Sequence, residues 1–376
     1  VHTGHSFIRG NREVQPEGQW PIPAGLVTIP KLLQKAGYTT GMFGKWGLGA
    51  PGSEGDPVKQ GWDEFYGYKC QRQAHTYYPP YLWHNDKQVP LDGKTYSHDI
   101  IHEQSLKFMR DNAKRPFFAY LPITIPHAAM HVPEEDAAPF RKKFPEHENK
   151  IGRYRGPEVR NPAAMFAGMM TRMDRGVGEV LDLLNELKIA DNTLVLFTSD
   201  NGPWHLKLRH HGGSALPLRG AKFSTWEGGM RVPTIMRWPG KIPAGSVCSE
   251  VAAACDILPT FAKLAKAELP KRKIDGKNIW RLMSGREGAK SPHKQFYYYR
   301  GAGLRAVRSG DWKLHIGGGN KKQQKEGLKP VLTLYNLADD IGETTDVAAA
   351  NQKIVRRLYK HALAFDKSLK ADARPA

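Results

Sequence analysis

Three stretches of the chain end an apolar run in side chains that can hold or move charge. TTGMFGKW closes near Lys45, PFFAYLPITIPH on His127, and TLVLFTSDN on Asp200 and Asn201. In open α/β sheets, ligands gather outside the carboxyl ends of the strands. Runs that finish this way therefore aim four functional groups at one rim. A fifth group, Lys222, lies in the connection from Gly202 to Gly229, which also carries His205, His210 and His211. Long connections inside compact domains are commonly functional. Asp200 and Asn201 offer hard oxygens suited to calcium or magnesium, two lysines can hold an anion, and His127 can give a proton to a departing alkoxide. The combination implies hydrolysis of an anionic ester. Singly, each residue has an ordinary alternative: SDNG is turn-forming, Lys45 can lie over Trp46, and His127 can serve a loop. Only the joint placement speaks for chemistry.

The elements that must position these groups alternate between helix and strand. TIPKLLQKAGY predicts a short helix with Thr28 as cap, Pro30 in its first turn and Gly37 at its end, and the strand TTGMF follows. His98 to Asn112 predicts a second amphipathic helix, followed by PFFAYLPITI as a buried strand. A third helix is expected over Ala163 to Leu187, with Phe166, Met170, Met173, Val177, Leu181 and Leu184 on its buried stripe. TLVLFTSD then reads as a buried strand in the middle of a mostly parallel sheet. After about Lys271 the texture changes. FYYYR, LRAVRSG and DWKLHI predict antiparallel strands with a tight hairpin at Ser309 and Gly310. GGGNKKQQKEGLKP is a polar loop, VLTLYNL a fourth strand, and Ile354, Leu358 and Phe365 mark a last helix. Two units are expected, residues 1–285 and 286–376, the second a small α+β subdomain.

Composition narrows the classes. With 40% hydrophobic and 25% charged residues in 376, the chain is a folded one rather than a disordered one, and no apolar run approaches the roughly 18 residues of a membrane span. A net charge of +19 favours an anionic partner, with a solubilising surface as the bland alternative. The basic residues are dispersed and carry no nucleic-acid motif, so no nucleic-acid partner is expected. Three cysteines, Cys70, Cys248 and Cys255, allow at most one internal disulfide. Cys255, ahead of an apolar helix, reads as core and Cys70 as a loop thiol or half of a bridge.

The segments HTGHSFIRGN, AGYTTGMFGKWGLG, GWDEFYGY, PFFAYLPITIPHA, TLVLFTSDNGP, LRGAKFSTWEGGMRVP, DILPT and RSGDWKLH, with LYNLADDIGETTDVA behind them, run in order along nearly the whole chain. In these segments the chain resembles the type I sulfatase family of the alkaline-phosphatase superfamily, particularly its arylsulfatase A and N-acetylgalactosamine-6-sulfatase branch. The resemblance implies an α/β fold: an alkaline-phosphatase-like mixed central sheet flanked by helices, with a small C-terminal antiparallel sheet plus helix. It implies sulfate ester hydrolysis, with Asp200 and Asn201 at the metal, Lys45 near the nucleophile, His127 beside the scissile oxygen and Lys222 gripping sulfate. Ca2+ is the implied ion, with Mg2+ as the alternative. Members of the family are exported, so a periplasmic or secreted origin is expected.

Two departures stand out. Family members usually carry a histidine two places after the lysine of GKW, where this chain has Gly47; His75, His205 or His211 is then expected to substitute beside the substrate. The family's formylglycine arises in a CxPxR-like motif shortly before the segment with which this chain opens. On this reading the nucleophile, a sulfate-binding arginine, at least two metal ligands and one strand of the sheet precede Val1. The 376 residues alone are then expected to bind calcium weakly, to turn over little substrate and to expose a sheet edge. None of the three cysteines sits in such a motif. Around Tyr77, QAHTYYPPYLWHN is either a sugar-stacking loop or local core; with the basic surface it favours a sulfated saccharide as substrate. The competing readings are a phosphodiesterase or phosphatase of the same superfamily, and a catalytically silent carbohydrate-binding relative.

Overall fold

The computed structural model describes residues 17–127, 129–154, 156–204, 213–317 and 330–372. Its first helix, α1 (Ile29–Lys35), starts where the sequence places it, with the Thr28 hydroxyl accepting from the Lys31 amide at 3.4 Å. The chain turns at Gly37 into β1 (Thr39–Lys45), an inner strand of a sheet completed by β2 (Glu64–Tyr68), β3 (Tyr81–His84), β4 (Lys87–Pro90) and β5 (Phe117–Tyr120). The order is β4-β3-β2-β1-β5. β1 lies parallel to both β2 and β5, whereas β2, β3 and β4 follow as an antiparallel meander.

Side chains alternate across β1 and β2 as a pleat requires, and each set has its own cover. Phe43, Tyr66 and Tyr68 pack with Ile101 and Phe108 of α2 (Ser97–Asn112). Met42 and Phe65 pack with Trp46 and Trp62 on the other face, and Phe118 joins that cluster to the one around Leu32 and Leu33 of α1. The sheet is thus covered on both sides, which is what an apolar strand such as TTGMF demands.

Helix α3 (Glu134–Arg141), the short strands β6 (Ile151–Gly152) and β7 (Val159–Arg160), and the long helix α4 (Pro162–Glu186) form the next layer. The α4 helix appears where expected, but its buried face is shifted. Met165, Met169, Gly176, Leu183 and Leu184 are buried, while Met170 is 38% exposed. Apolar neighbours at 165 and 166, 169 and 170, and 183 and 184 leave the phase of the stripe open by one residue, about 100° of helix. Packing settles it: α3 runs so close to Gly168 that a Cβ there would lie 2.9 Å from the Asp136 carbonyl oxygen. Arg172 then reaches from α4 to Asp99 on α2 and Asp136 on α3.

Two strands differ from expectation. The run PFFAYLPITI forms a strand only over β5, none of whose residues is fully buried. β8 (Val195–Thr198) pairs antiparallel with β9 (Thr234–Arg237), and among the described residues it has no parallel neighbour. A continuous apolar run shows that a strand is flanked, not which strand flanks it. Ahead of β9 lies the single-turn helix α5 (Glu227–Met230); after it come α6 (Ile257–Leu264) and α7 (Trp280–Met283). The three cysteines are free, and Cys255 is exposed rather than core, since it precedes the first buried turn of α6. No helix among the described residues is long and apolar enough to cross a membrane.

The C-terminal sheet follows the sequence closely. β10 (Phe296–Arg300), β11 (Gly303–Ser309), β12 (Trp312–Gly317) and β13 (Val331–Asn336) pair antiparallel in order. Gly310 turns the β11–β12 hairpin with φ of +58°, a conformation glycine adopts at no steric cost. Val355, Leu358 and Ala362 of α8 (Gln352–Asp372) pack on Val307, Leu314 and Leu334, and Phe365 stacks on Tyr297 at 3.8 Å.

One buried group makes this fold acid-sensitive. His98 on α2 faces Asp99, His102, Arg172 and Asp136, and burial pushes its pKa down from 6.5 to about 4 despite the pull of Asp99. The unfolded chain takes up this proton near pH 6.5 and the folded chain only near 4, so stability is complete above 6.5 and is lost as pH falls toward 4. The full effect is about 3 kcal/mol. In thermal melts between pH 4 and 7, His98→Gln is expected to flatten the acid side of the stability profile; an unchanged profile contradicts this.

Candidate active site

Each charged group is set by the element that ends beside it. β1 stops at Lys45, the chain leaving β5 reaches His127, and the chain leaving β8 reaches Asp200 and Asn201. The segment 213–229 folds back onto this rim: the Lys222 amide donates to the Pro203 carbonyl at 2.9 Å, and the Gly202 amide to the Gly229 carbonyl at 3.2 Å. This places Lys222 Nζ 3.4 Å from His127 Nε2. The same ammonium lies 5.0 Å from the centre of the Trp204 ring, which is itself 5.6 Å from the His127 ring.

Lys45 belongs to the same electrostatic unit. Burial pushes its ammonium below the ordinary lysine range, the Asp200 carboxylate opposes that, and the Lys222 ammonium adds to it. Lys45, His127, Asp200 and Lys222 are therefore brought to one place from four distant parts of the chain. Asn201 follows Asp200 directly, and its Nδ2 donates to the Gly202 carbonyl at 2.9 Å, which turns Oδ1 the other way.

Asp200 and Asn201 fit a hard cation by donor type, two oxygens side by side at a strand end. Among the described residues no three His, Cys, Asp or Glu side chains gather as a metal site.

His75 ends a short turn (Gln73–His75), and its ring stacks on that of His127 at 4.9 Å, with Tyr154 edge-on at 5.5 Å. His205 and His211, with His210, lie outside the described residues. Gly47 has φ of +92°, and a Cβ there would lie 2.5 Å from Cγ of Gln71. At this position the backbone is left-handed, and the Gln71 side chain fills the space a Cβ would enter. Tyr77 is not a sugar platform; it is 1% exposed and its hydroxyl donates to the Thr124 carbonyl at 3.0 Å. Sequence reasoning missed Trp204, Tyr154 and Gln71. Trp204 directly follows DNGP, and that adjacency was the available signal.

A covered α/β sheet with cationic and acidic groups at its strand ends is the alkaline-phosphatase-like arrangement. The chain belongs to the Sulfatase family, whose model matches residues 2–267; the model for N-sulphoglucosamine sulphohydrolase, C-terminal, matches residues 221–361. N-acetylgalactosamine-6-sulfatase of Canis lupus familiaris is 34% identical over 312 residues, covering 78% of this chain and 55% of the relative. Arylsulfatase A of Homo sapiens is 30% identical over 376 residues, covering 91% and 72%. The chain thus spans about half the length of the first of these relatives. The crystal structure of Ps i-CgsB in complex with k-i-k-neocarrahexaose matches with a TM-score of 0.77 at 29% identity, over 97% of this chain and 78% of that one.

The account of Gly47 has a direct check. Gly47→His is expected to lower stability by more than about 1 kcal/mol, from left-handed backbone and collision together. Gln71→Ala in the same chain should recover part of that loss. Strictly additive effects across the four thermal melts would show that Gln71 does not occupy the space.

Proposed function

We propose that this chain supplies the anion-binding and leaving-group side of a sulfate ester hydrolase, with a sulfated saccharide as substrate and the nucleophile outside these 376 residues. The observation that carries the reading is the contact of Lys222 with His127 at 3.4 Å, on a rim where Lys45 feels both Lys222 and Asp200. The Lys45 and Lys222 ammonium groups repel one another, and an anion between them relieves that repulsion. Lys45 and Lys222 grip the sulfuryl oxygens and stabilise the negative charge that builds on them in the transition state.

His127 serves the leaving group. Its Nε2, 3.4 Å from Lys222 Nζ, faces the anion-binding rim, where it can pass a proton to the ester oxygen as the sugar leaves as an alcohol. His75, stacked on His127, takes the place of the histidine that Gly47 lacks. Asp200 and Asn201 would hold part of a calcium site, with magnesium as the alternative; the ion would supply positive charge at the sulfuryl group and, by resemblance, a formylglycine the attacking oxygen. The saccharide class is supported by the net charge of +19 and by the oligosaccharide-bound relative. By resemblance the protein is exported.

Titration calorimetry with a sulfated carrageenan oligosaccharide and its desulfated counterpart tests the reading. The sulfated ligand is expected to bind and the desulfated one not. Lys222→Ala should weaken binding at least tenfold, about 1.4 kcal/mol. Equal affinity for the two ligands, or no loss in Lys222→Ala, contradicts the proposal; tighter binding of a phosphorylated analogue would favour the phosphatase reading.

A further inference from the structure

The arm that carries Lys222 is fastened on two sides. One side is the rim itself, through Pro203 and Gly202 as described. The other is the C-terminal sheet, and there the fastening is a buried charge network. Glu227, five residues after Lys222, is 2% exposed, and its carboxylate accepts from Lys313 Nζ at 2.8 Å, from the Tyr298 hydroxyl at 2.9 Å and from Arg308 at 3.2 Å. Its own amide donates to Glu343 at 2.7 Å. Glu343, fully buried, pairs in turn with Lys313 at 2.9 Å and His315 at 2.7 Å.

The start of the arm is tied to the same place. Arg219 donates to the Glu343 carbonyl at 2.7 Å and lies 3.9 Å over the Trp226 ring, which packs on His315 at 4.0 Å. Within the arm, the Gly228 amide donates to the Arg219 carbonyl at 2.7 Å, closing it into a loop. Between the two ends of that loop stands Lys222. The loop therefore has little freedom of its own, and the height of the ammonium above the rim is set from outside it.

Lys313 is the centre of this arrangement. It is 0% exposed and lies between two buried carboxylates, one on the arm and one on the C-terminal subdomain. Without it the two carboxylates face each other with their common cation gone, and breaking a buried network this way is strongly destabilising locally. Burial pushes the Glu343 carboxyl up, but His315 and Lys313 outweigh burial and hold it below the ordinary range.

We infer that Lys313, acting with Glu227 and Glu343, is a positioning residue for Lys222: the C-terminal sheet sets anion affinity at a site it does not touch. The inference rests on Lys222 as an anion ligand. The test uses inorganic sulfate as probe, titrated calorimetrically into the 376-residue chain and its variants, with folding checked by circular dichroism. Lys222→Ala reports on the site itself. Lys313→Met is expected to weaken sulfate at least tenfold, and Lys313→Met combined with Glu343→Gln, which leaves Glu227 balanced by Arg308, to recover part of that. Tyr298→Phe, which keeps every charge, is expected to weaken sulfate about threefold. Asp256→Asn weakens a pair with His293 at 2.8 Å whose carboxylate is fully buried and which, among the described residues, has no bond to the arm; it should lower the melting temperature and leave affinity unchanged.

If Lys222→Ala weakens sulfate but folded Lys313→Met and Tyr298→Phe bind as the parent does, the positioning role is overturned and the site stands. If Lys313→Met does not fold, Tyr298→Phe decides alone. Equal weakening in Asp256→Asn would also overturn the role, since the effect would then be general. No effect in Lys222→Ala overturns the anion site beneath it.

Discussion

Two ammonium groups held on one rim, with the Asp200 carboxylate acting on Lys45, are the constraint on which the rest of the structure depends. Like charges do not gather at a partly buried site without help. The burial that pushes Lys45 down is made by the sheet, and the nearness of Lys222 is made by a loop that returns to the rim after β8. A strand whose interior is buried and a doubly fastened loop hold these charges where an anion can meet both.

That organisation divides the labour of the chain. The sheet β4-β3-β2-β1-β5, packed on both faces, carries Lys45 and leads to His127. The β8–β9 pair carries Asp200 and Asn201 and leads into the Lys222 loop. The C-terminal sheet would otherwise be an appendage, but its Lys313 and Glu343 reach the loop directly.

The residues at strand ends were legible in the sequence only together, because three apolar runs stop in groups that can hold or move charge while each group alone has an ordinary use. Helix caps and the C-terminal hairpin were legible because they depend on neighbours in sequence, as with Thr28 and Gly310. What was hidden depends on contacts made at a distance. The face of α4 is chosen by α3 at Gly168, and Tyr77 becomes core by reaching Thr124. The buried network was hidden most deeply. In DWKLHI, Lys313 and His315 alternate with Trp312, Leu314 and Ile316 and so read as a solvent face, yet that face is covered by a loop 86 residues earlier in the chain.

The central claim is that Lys45, Lys222 and His127 meet one anion. Crystals grown with selenate, a sulfate analogue located by its selenium anomalous signal, test it most directly. The account predicts a single strong peak whose oxygens contact Lys45 Nζ, Lys222 Nζ and His127 Nε2 together. A selenate bound elsewhere, with this rim lacking a peak at saturating concentration, would contradict it.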